Sequence, residues 1–290
     1  MKTKPYSVLY IAGYGHSGTT ILDLVFGSTQ DAISCGELTH FTRQGFFEEY
    51  CSCHNQIKDC SFWKAVFENW QREMPCTFEE YMRLRNRYEG NKNFFKTAFN
   101  YLFPGKKFKL FSQCTELFYD EIHRASGKKV IVDSSKGSSR IFLLASFAPL
   151  SVIHVCRNFR GVLNSEQKDV KVDIENGIEE ASPPKRFSRV LRDWVITNAT
   201  CSVARLAFSG KKLYFKQWIQ NPKLLAKYHA SLSDNFEKQA FKAPHMIAGN
   251  AIRMKPPQKL RRKTVFEYNR LTSGYSRFGL LVEWIFPFWS

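Results

Sequence analysis

An apolar, β-branched run, Ser7-Val-Leu-Tyr-Ile-Ala12, leads into Gly13-Tyr-Gly-His-Ser-Gly-Thr-Thr20, and behind it Ile21, Leu22, Val25 and Phe26 recur at helical spacing. The order is strand, glycine-rich turn, helix. The unit returns twice. Lys129-Val-Ile-Val132 ends in Asp133-Ser134-Ser135-Lys136, with Ile141, Leu143, Leu144 and Phe147 spaced as a helix after it, and Ser151-Val-Ile-His-Val-Cys156 ends at Arg157 ahead of helix-like 162–167. A fourth short run, Lys212-Leu-Tyr-Phe215, precedes Pro222 and a further helical pattern. Strands alternating with helices predict an α/β fold: a parallel sheet flanked by helices on both faces, right-handed crossovers, and ligands at the carboxyl ends of the strands. The polar clusters 13–20, 133–136 and Arg157 all fall at such ends.

With 290 residues, 43% of them hydrophobic, the chain can bury the core of one α/β domain spanning 1–290. A helical, aromatic-rich insertion at about 37–127 reads as a cap that could form a pocket wall. Residues 166–186, with the Pro183-Pro184 pair, read as a surface loop, and 187–208 as a long packed helix. A formal net charge of +17 favours anionic partners. No stretch approaches a membrane span, and Met1-Lys2-Thr3-Lys4-Pro5 runs directly into the first strand pattern. The expectation is therefore a cytoplasmic protein without stable membrane insertion. The apolar tail 278–289 is broken by Glu283 and Pro287 and is expected to pack on the domain.

The glycine loop has the frame of a triphosphate-binding loop, Gly13 and Gly18 separated by four residues, but Thr19 stands where that motif has lysine. That lysine grips the β- and γ-phosphates, so its loss removes most of the hold on a triphosphate and counts against a kinase. Gly15 and Gly18 let amides turn inward, the helix beginning near Thr19 adds its positive end, and Ser17, Thr19 and Thr20 add hydroxyl donors. A single 5′-phosphate can be held this way without a metal. The plainer alternative is a glycine-rich turn with no ligand.

His16-Ser17-Gly18-Thr19-Thr20 after the first strand resembles the phosphosulfate loop of the sulfotransferases that use 3′-phosphoadenosine 5′-phosphosulfate (PAPS). Val152 to Asn158 with Ser165 resembles the family's second signature, a strand ending in Arg with a Ser eight residues on. Cys35-Gly36-Glu37-Leu38, Cys51-Ser-Cys53, Cys60-Ser-Phe-Trp63 and Asp133-Ser-Ser-Lys136 are similar to a bacterial branch, as is 245–253 with Gly249-Asn250. The resemblance covers about 7–63, 129–166 and 245–253 and is weak between them.

It implies a P-loop-like sulfotransferase fold, PAPS as donor and PAP as product. It further implies that Arg157 and Ser165 bind the 3′-phosphate, with Arg253 a further candidate. The family places Lys or Arg where His16 stands, against the bridging oxygen; an ordinary histidine pKa makes that cation conditional on pH. In sulfotransferases acting on protein tyrosine, a Glu in a similar Cys-Gly-Glu setting takes the acceptor proton, which casts Glu37 as general base. The alternative for Glu37 is a carboxylate at a helix N-terminus. Lys136 is the candidate positive charge beside the transferring group, against a surface lysine after a turn; Asp133 could orient it or be the base instead.

Cys51, Cys53, His54 and Cys60 invite a zinc reading, but adjacent Cys53 and His54 rarely reach one ion and no second CxxC pair exists. Packed, reduced cysteines and no metal are expected. Lys106 to Phe111 and Arg261-Arg262-Lys263 raise the rival of a nucleic-acid-binding protein. No nucleic-acid signature accompanies them, and a solvated basic face is the simpler reading. The expected partner is a small-molecule acceptor, with an acidic glycan as the alternative, and no nucleic acid; the oligomeric state is open.

Overall fold

The computed structural model describes residues 4–229, 232, 236, 239–257, 259 and 276–289. Five strands, β1 (Ser7–Gly13), β2 (Ala32–Ser34), β3 (Val130–Lys136), β4 (Leu150–Cys156) and β5 (Lys211–Tyr214), form one sheet in the order β2-β3-β1-β4-β5, every neighbouring pair parallel. The fold is α/β, a parallel sheet flanked by helices. The opening strand thus lies in the middle, with β3 on one side and β4 on the other. In such sheets the crevice opens where successive connections leave to opposite sides, here above the ends of β1, β3 and β4.

Period-two alternation along β1 separates two cores. Val8, Tyr10 and Ala12 face one way, into a cluster with Trp63, Trp70, Phe118 and Ile141; Leu9 and Ile11 face the other, onto Leu22, Val25 and Trp218. α1 (Thr19–Gly27) covers the second face, and α6 (Ser138–Ala145) and α7 (Phe187–Ala207) cover the first with the insertion. Between β2 and β3 run α2 (Ser61–Glu73), α3 (Phe78–Tyr88), α4 (Phe94–Leu102) and α5 (Lys106–Ser126). Aromatics of the insertion fill the core: Trp63, Trp70 and Phe118 are fully buried, and Phe41 packs on Phe118 with ring centroids 4.9 Å apart. Hydrophobic rings offered a dry sheet face go there, because burial of apolar area dominates the balance.

On α5, Phe108 and Phe111 are buried while Lys106, Lys107 and Lys109 are exposed, so this basic-aromatic stretch is an amphipathic helix with a solvated face. Arg261-Arg262-Lys263 lies outside the described residues. The tail forms α8 (Ser276–Ile285), docked through buried Val282 and a 2.9 Å ion pair between Glu283 and Arg160, with Phe278 and Trp284 open to solvent. No described helix is long and apolar enough to cross a membrane.

Candidate active site

A cavity of ≈ 1220 Å³ opens above the ends of β1, β3 and β4. It exceeds the roughly 300–1,000 Å³ of a pocket for one small ligand and suits two placed side by side. Gly15, His16, Gly18, Thr19, Thr20, Glu37, Lys136, Arg157 and Ser165, all singled out from the sequence, line it. The chain draws these residues together from four separate segments.

The loop owes its shape to glycine. At Gly13 (φ 149°) an added Cβ would meet the Val155 carbonyl oxygen at 2.5 Å, and at Gly18 (φ 85°) the Phe215 ring at 2.7 Å. His16 also takes a left-handed conformation, φ 63°, so left-handed and ordinary residues mix along the turn and amides can converge. Gly18 is the N-cap of α1 and supplies no side-chain cap, leaving the first N–H groups of that helix facing the cavity without the usual partner. Ser17 is 1% exposed, and its hydroxyl has no hydrogen-bond partner among the described residues; the same holds for the indole nitrogen of Trp218, whose ring lies against Gly18.

Asp23, which the sequence reading passed over, fixes the loop's helix. It is fully buried and accepts from the Ser34 hydroxyl (2.5 Å), the Gly36 amide (3.0 Å) and the Ser134 hydroxyl (2.6 Å), tying α1 to the ends of β2 and β3. Burial pushes its carboxyl up to about 7 against the lowering pull of those bonds. A lone Asp inside the apolar run Ile21-Leu22-Asp23-Leu24-Val25 was the available signal.

Lys136 ends β3 at φ 68°, just past a register shift between β1 and β3, an irregularity that turns its side chain from the sheet into the cavity. There it forms an ion pair with Glu37. Glu37 is placed by Gly36, where an added Cβ would meet the Ile247 carbonyl oxygen at 2.0 Å, and its own amide donates to that oxygen at 3.0 Å. His40 Nε2 lies 3.3 Å from the other Glu37 oxygen. Burial alone would raise the Glu37 carboxyl, but the Lys136 ammonium and then His40 outweigh it and hold it well below the usual carboxylate range. The group is ionised at neutral pH.

Arg157 lies over the Phe215 ring, 4.7 Å from its centroid, and donates to the His16 carbonyl oxygen and, at 3.4 Å, to the Ser165 hydroxyl. Gly161 makes room for it: a Cβ there would come within 2.8 Å of Arg157 Nε. Arg157 and Ser165 therefore share one wall of the cavity, next to the loop they contact.

His16 is 39% exposed by side chain, yet it stands inside the concavity. Desolvation lowers its pKa, Glu166 at 3.8 Å opposes this, and the Lys136 and Arg157 charges lower it further. At neutral pH it is an uncharged donor rather than a cation. An anion seated beside it raises that pKa, so binding one takes up a proton. Affinity for such an anion should then climb as the solution is acidified through the raised, anion-bound pKa, and level off below the lowered free-state one. Calorimetry in buffers of differing ionisation enthalpy reads the uptake directly, and His16→Gln should abolish it.

Two of the candidate residues stand outside the cavity lining. Arg253 does not line the cavity: its side chain is fully buried, paired with Glu179 and donating to the carbonyls of Gly177 (3.0 Å), Gly249 (3.3 Å) and Tyr50 (3.3 Å). It braces two walls, 177–179 and 249. Asp133 is also fully buried and turned away, 2.8 Å from Arg140 Nε and bonded to the Tyr119 hydroxyl, where no acceptor reaches it. Segment 177–186, read only as a surface loop, supplies a continuous stretch of cavity wall, and Arg43 and His40 also line it.

No protein-family model and no curated protein matches the sequence. In structure the chain is similar to the sulfotransferase domain of the Synechococcus PCC 7002 olefin synthase, at 13% identity and a TM-score of 0.48 over 98% of this chain and 96% of that one. It is also similar to sulfotransferase STF1 of Mycobacterium tuberculosis H37Rv, at 11% identity and a TM-score of 0.42 over 80% of this chain and 70% of that one.

Proposed function

We propose that this protein transfers a sulfuryl group from PAPS to a hydroxyl or amine nitrogen of a small-molecule acceptor and releases PAP. The observation that carries the reading is the uncapped start of α1, opening with a lysine-free glycine loop into a cavity that also holds Lys136, Arg157 and an ionised Glu37.

The loop amides and the α1 terminus suit one 5′-phosphate, and the Arg157 fork with Ser165 suits a second phosphate on the same nucleotide. Phe215, backed by buried Trp218 beside Gly18, offers an apolar ring surface for a purine. The remaining volume, walled by Ile178, Ala181, Pro183 and Pro184, takes the acceptor.

In the reaction the acceptor oxygen or nitrogen forms a bond to sulfur, the bond from sulfur to the phosphate oxygen breaks, and that oxygen keeps the electron pair. Glu37 takes the acceptor proton. Lys136 serves two ends: paired with Glu37 it keeps the carboxylate charged, and as it turns to the sulfuryl oxygens it leaves Glu37 more basic. His16 donates a hydrogen bond towards the leaving oxygen. In-line transfer asks for positioning and charge stabilisation, which this wall supplies.

The test is incubation with PAPS and a panel of alcohols, phenols, amines and acidic oligosaccharides, with mass spectrometry for an added sulfo group. Sulfation of a small acceptor is the expected result. Turnover confined to oligosaccharides would move the reading to glycan sulfation, and Mg-ATP binding without PAP binding would contradict it.

A further inference from the structure

Away from the cavity, the chain gathers a second set of reactive side chains. Cys51, Cys53, Cys60 and His245 bring three sulfurs and one imidazole nitrogen within 4.8 Å of one another. None of the four lines the cavity. Adjacent Cys53 and His54 had argued against a metal; the fold supplies His245 as the fourth group instead, across 185 residues of sequence. We propose that these four residues form a structural zinc site, and that it fastens the wall carrying Glu37.

The donor set is three thiols and one imidazole, a combination that tetrahedral zinc favours and that leaves no open position for chemistry. Zinc–sulfur bonds of about 2.3 Å and a zinc–nitrogen bond of about 2.0 Å put neighbouring ligand atoms roughly 3.4 to 3.8 Å apart. Cys60 Sγ and His245 Nδ1 are already 3.4 Å apart. All four groups need only modest contraction around a common centre.

The surrounding structure holds the ligands in place. Tyr50 and Gln56 pair antiparallel, the Cys51 amide donates to Asn55 at 2.9 Å, and His54 takes φ 67° to close the turn. That tight turn carries both Cys51 and Cys53 and brings their sulfurs near each other. Cys60 occupies the N-cap position of α2, where the positive end of the helix favours a thiolate. The His245 ring stacks on Phe62 at 4.9 Å and 9°, and its carbonyl accepts from the Trp63 indole at 2.7 Å. Asn55 donates to Cys53 Sγ at 3.7 Å, the kind of outer contact that orients a thiolate ligand.

The site joins two distant stretches of chain. Ser52 is bonded to Met246 in both directions, at 3.0 and 2.8 Å, and Ile247 in turn holds Cys35 and Glu37 by backbone bonds at 3.1 and 3.0 Å. A metal at His245 therefore sits two residues from the strut that positions Glu37. This proposal is independent of the transfer reaction and stands whether or not PAPS is the donor.

The experiment is elemental analysis of the purified full-length chain, followed by mercurial displacement with a colorimetric zinc indicator. Expected is about one zinc per chain, released only as the thiols are modified, with cobalt(II) replacing it to give sulfur-to-metal charge-transfer and tetrahedral ligand-field bands. Cys60→Ser and His245→Gln should each lower zinc affinity at least tenfold. If Cys60→Ser does not fold, the cobalt spectrum of the unaltered protein decides alone. A chain that remains folded with no zinc or cobalt bound after reconstitution would overturn the proposal, as would a disulfide among these cysteines in the protein purified under reducing conditions.

Discussion

Replacing Glu37 by Gln should cut turnover about 10²- to 10⁴-fold, the usual contribution of a general base. Lys136→Ala should cost about 10²- to 10³-fold, as loss of a charge facing the transferring group does. PAP affinity should stay close to that of the unaltered protein in both, because neither side chain belongs to the loop. The two act as a unit, joined by an ion pair, so the double variant should be little worse than the poorer single one. A pH profile separates their roles. Burial pushes the Glu37 carboxyl up and Lys136 pulls it down, so removing Lys136 raises that pKa. The residual activity of Lys136→Ala should then fall away at higher pH than in the unaltered protein as the solution is made acidic. Steady-state rates over a pH series, with PAP calorimetry alongside, provide the check; unchanged turnover in either variant removes that residue from the chemistry.

Arg157→Ala should raise the KM for PAPS roughly 10²-fold, the loss expected when a fork that binds a phosphate through charge-assisted bonds is removed. Arg157→Lys should fall between, since a point charge cannot reproduce the two-toothed geometry. The informative comparison uses adenosine 5′-phosphosulfate, which lacks the 3′-phosphate. The unaltered protein should prefer PAPS strongly and Arg157→Ala should scarcely distinguish the two. Because Arg157 also holds the His16 carbonyl, some loss towards both donors is expected from a loosened loop. Equal preference in the unaltered protein would place the second phosphate elsewhere.

The centre of the sheet was legible because its strands are continuous apolar runs, each ending in polar residues that only a strand terminus explains. β2 was not, since Ala32-Ile33-Ser34 is too short for periodicity to register and is defined by its pairing with β3. Loop, lysine and arginine were likewise visible, because spacing after a strand says where a side chain must lie. Direction was not: Asp133 and Lys136 are three apart on β3 and turn to opposite surroundings, the one to Arg140 and the core, the other to the cavity. The burial of Arg253 was hidden for a related reason, as nothing local reveals that Glu179 will meet it. The walls from 177 to 186 carry no period at all, and the meeting of His245 with Cys60 depends on contacts that only the folded chain creates.

Amide hydrogen exchange of the unaltered protein, in EDTA with and without PAP, examines the main-chain seat for the 5′-phosphate without recourse to any variant. Slowed exchange across Gly15 to Thr20 on adding PAP, undiminished by the chelator, is the predicted result. Exchange in that stretch left unchanged while PAP binds, or protection that appears only with magnesium present, would contradict it.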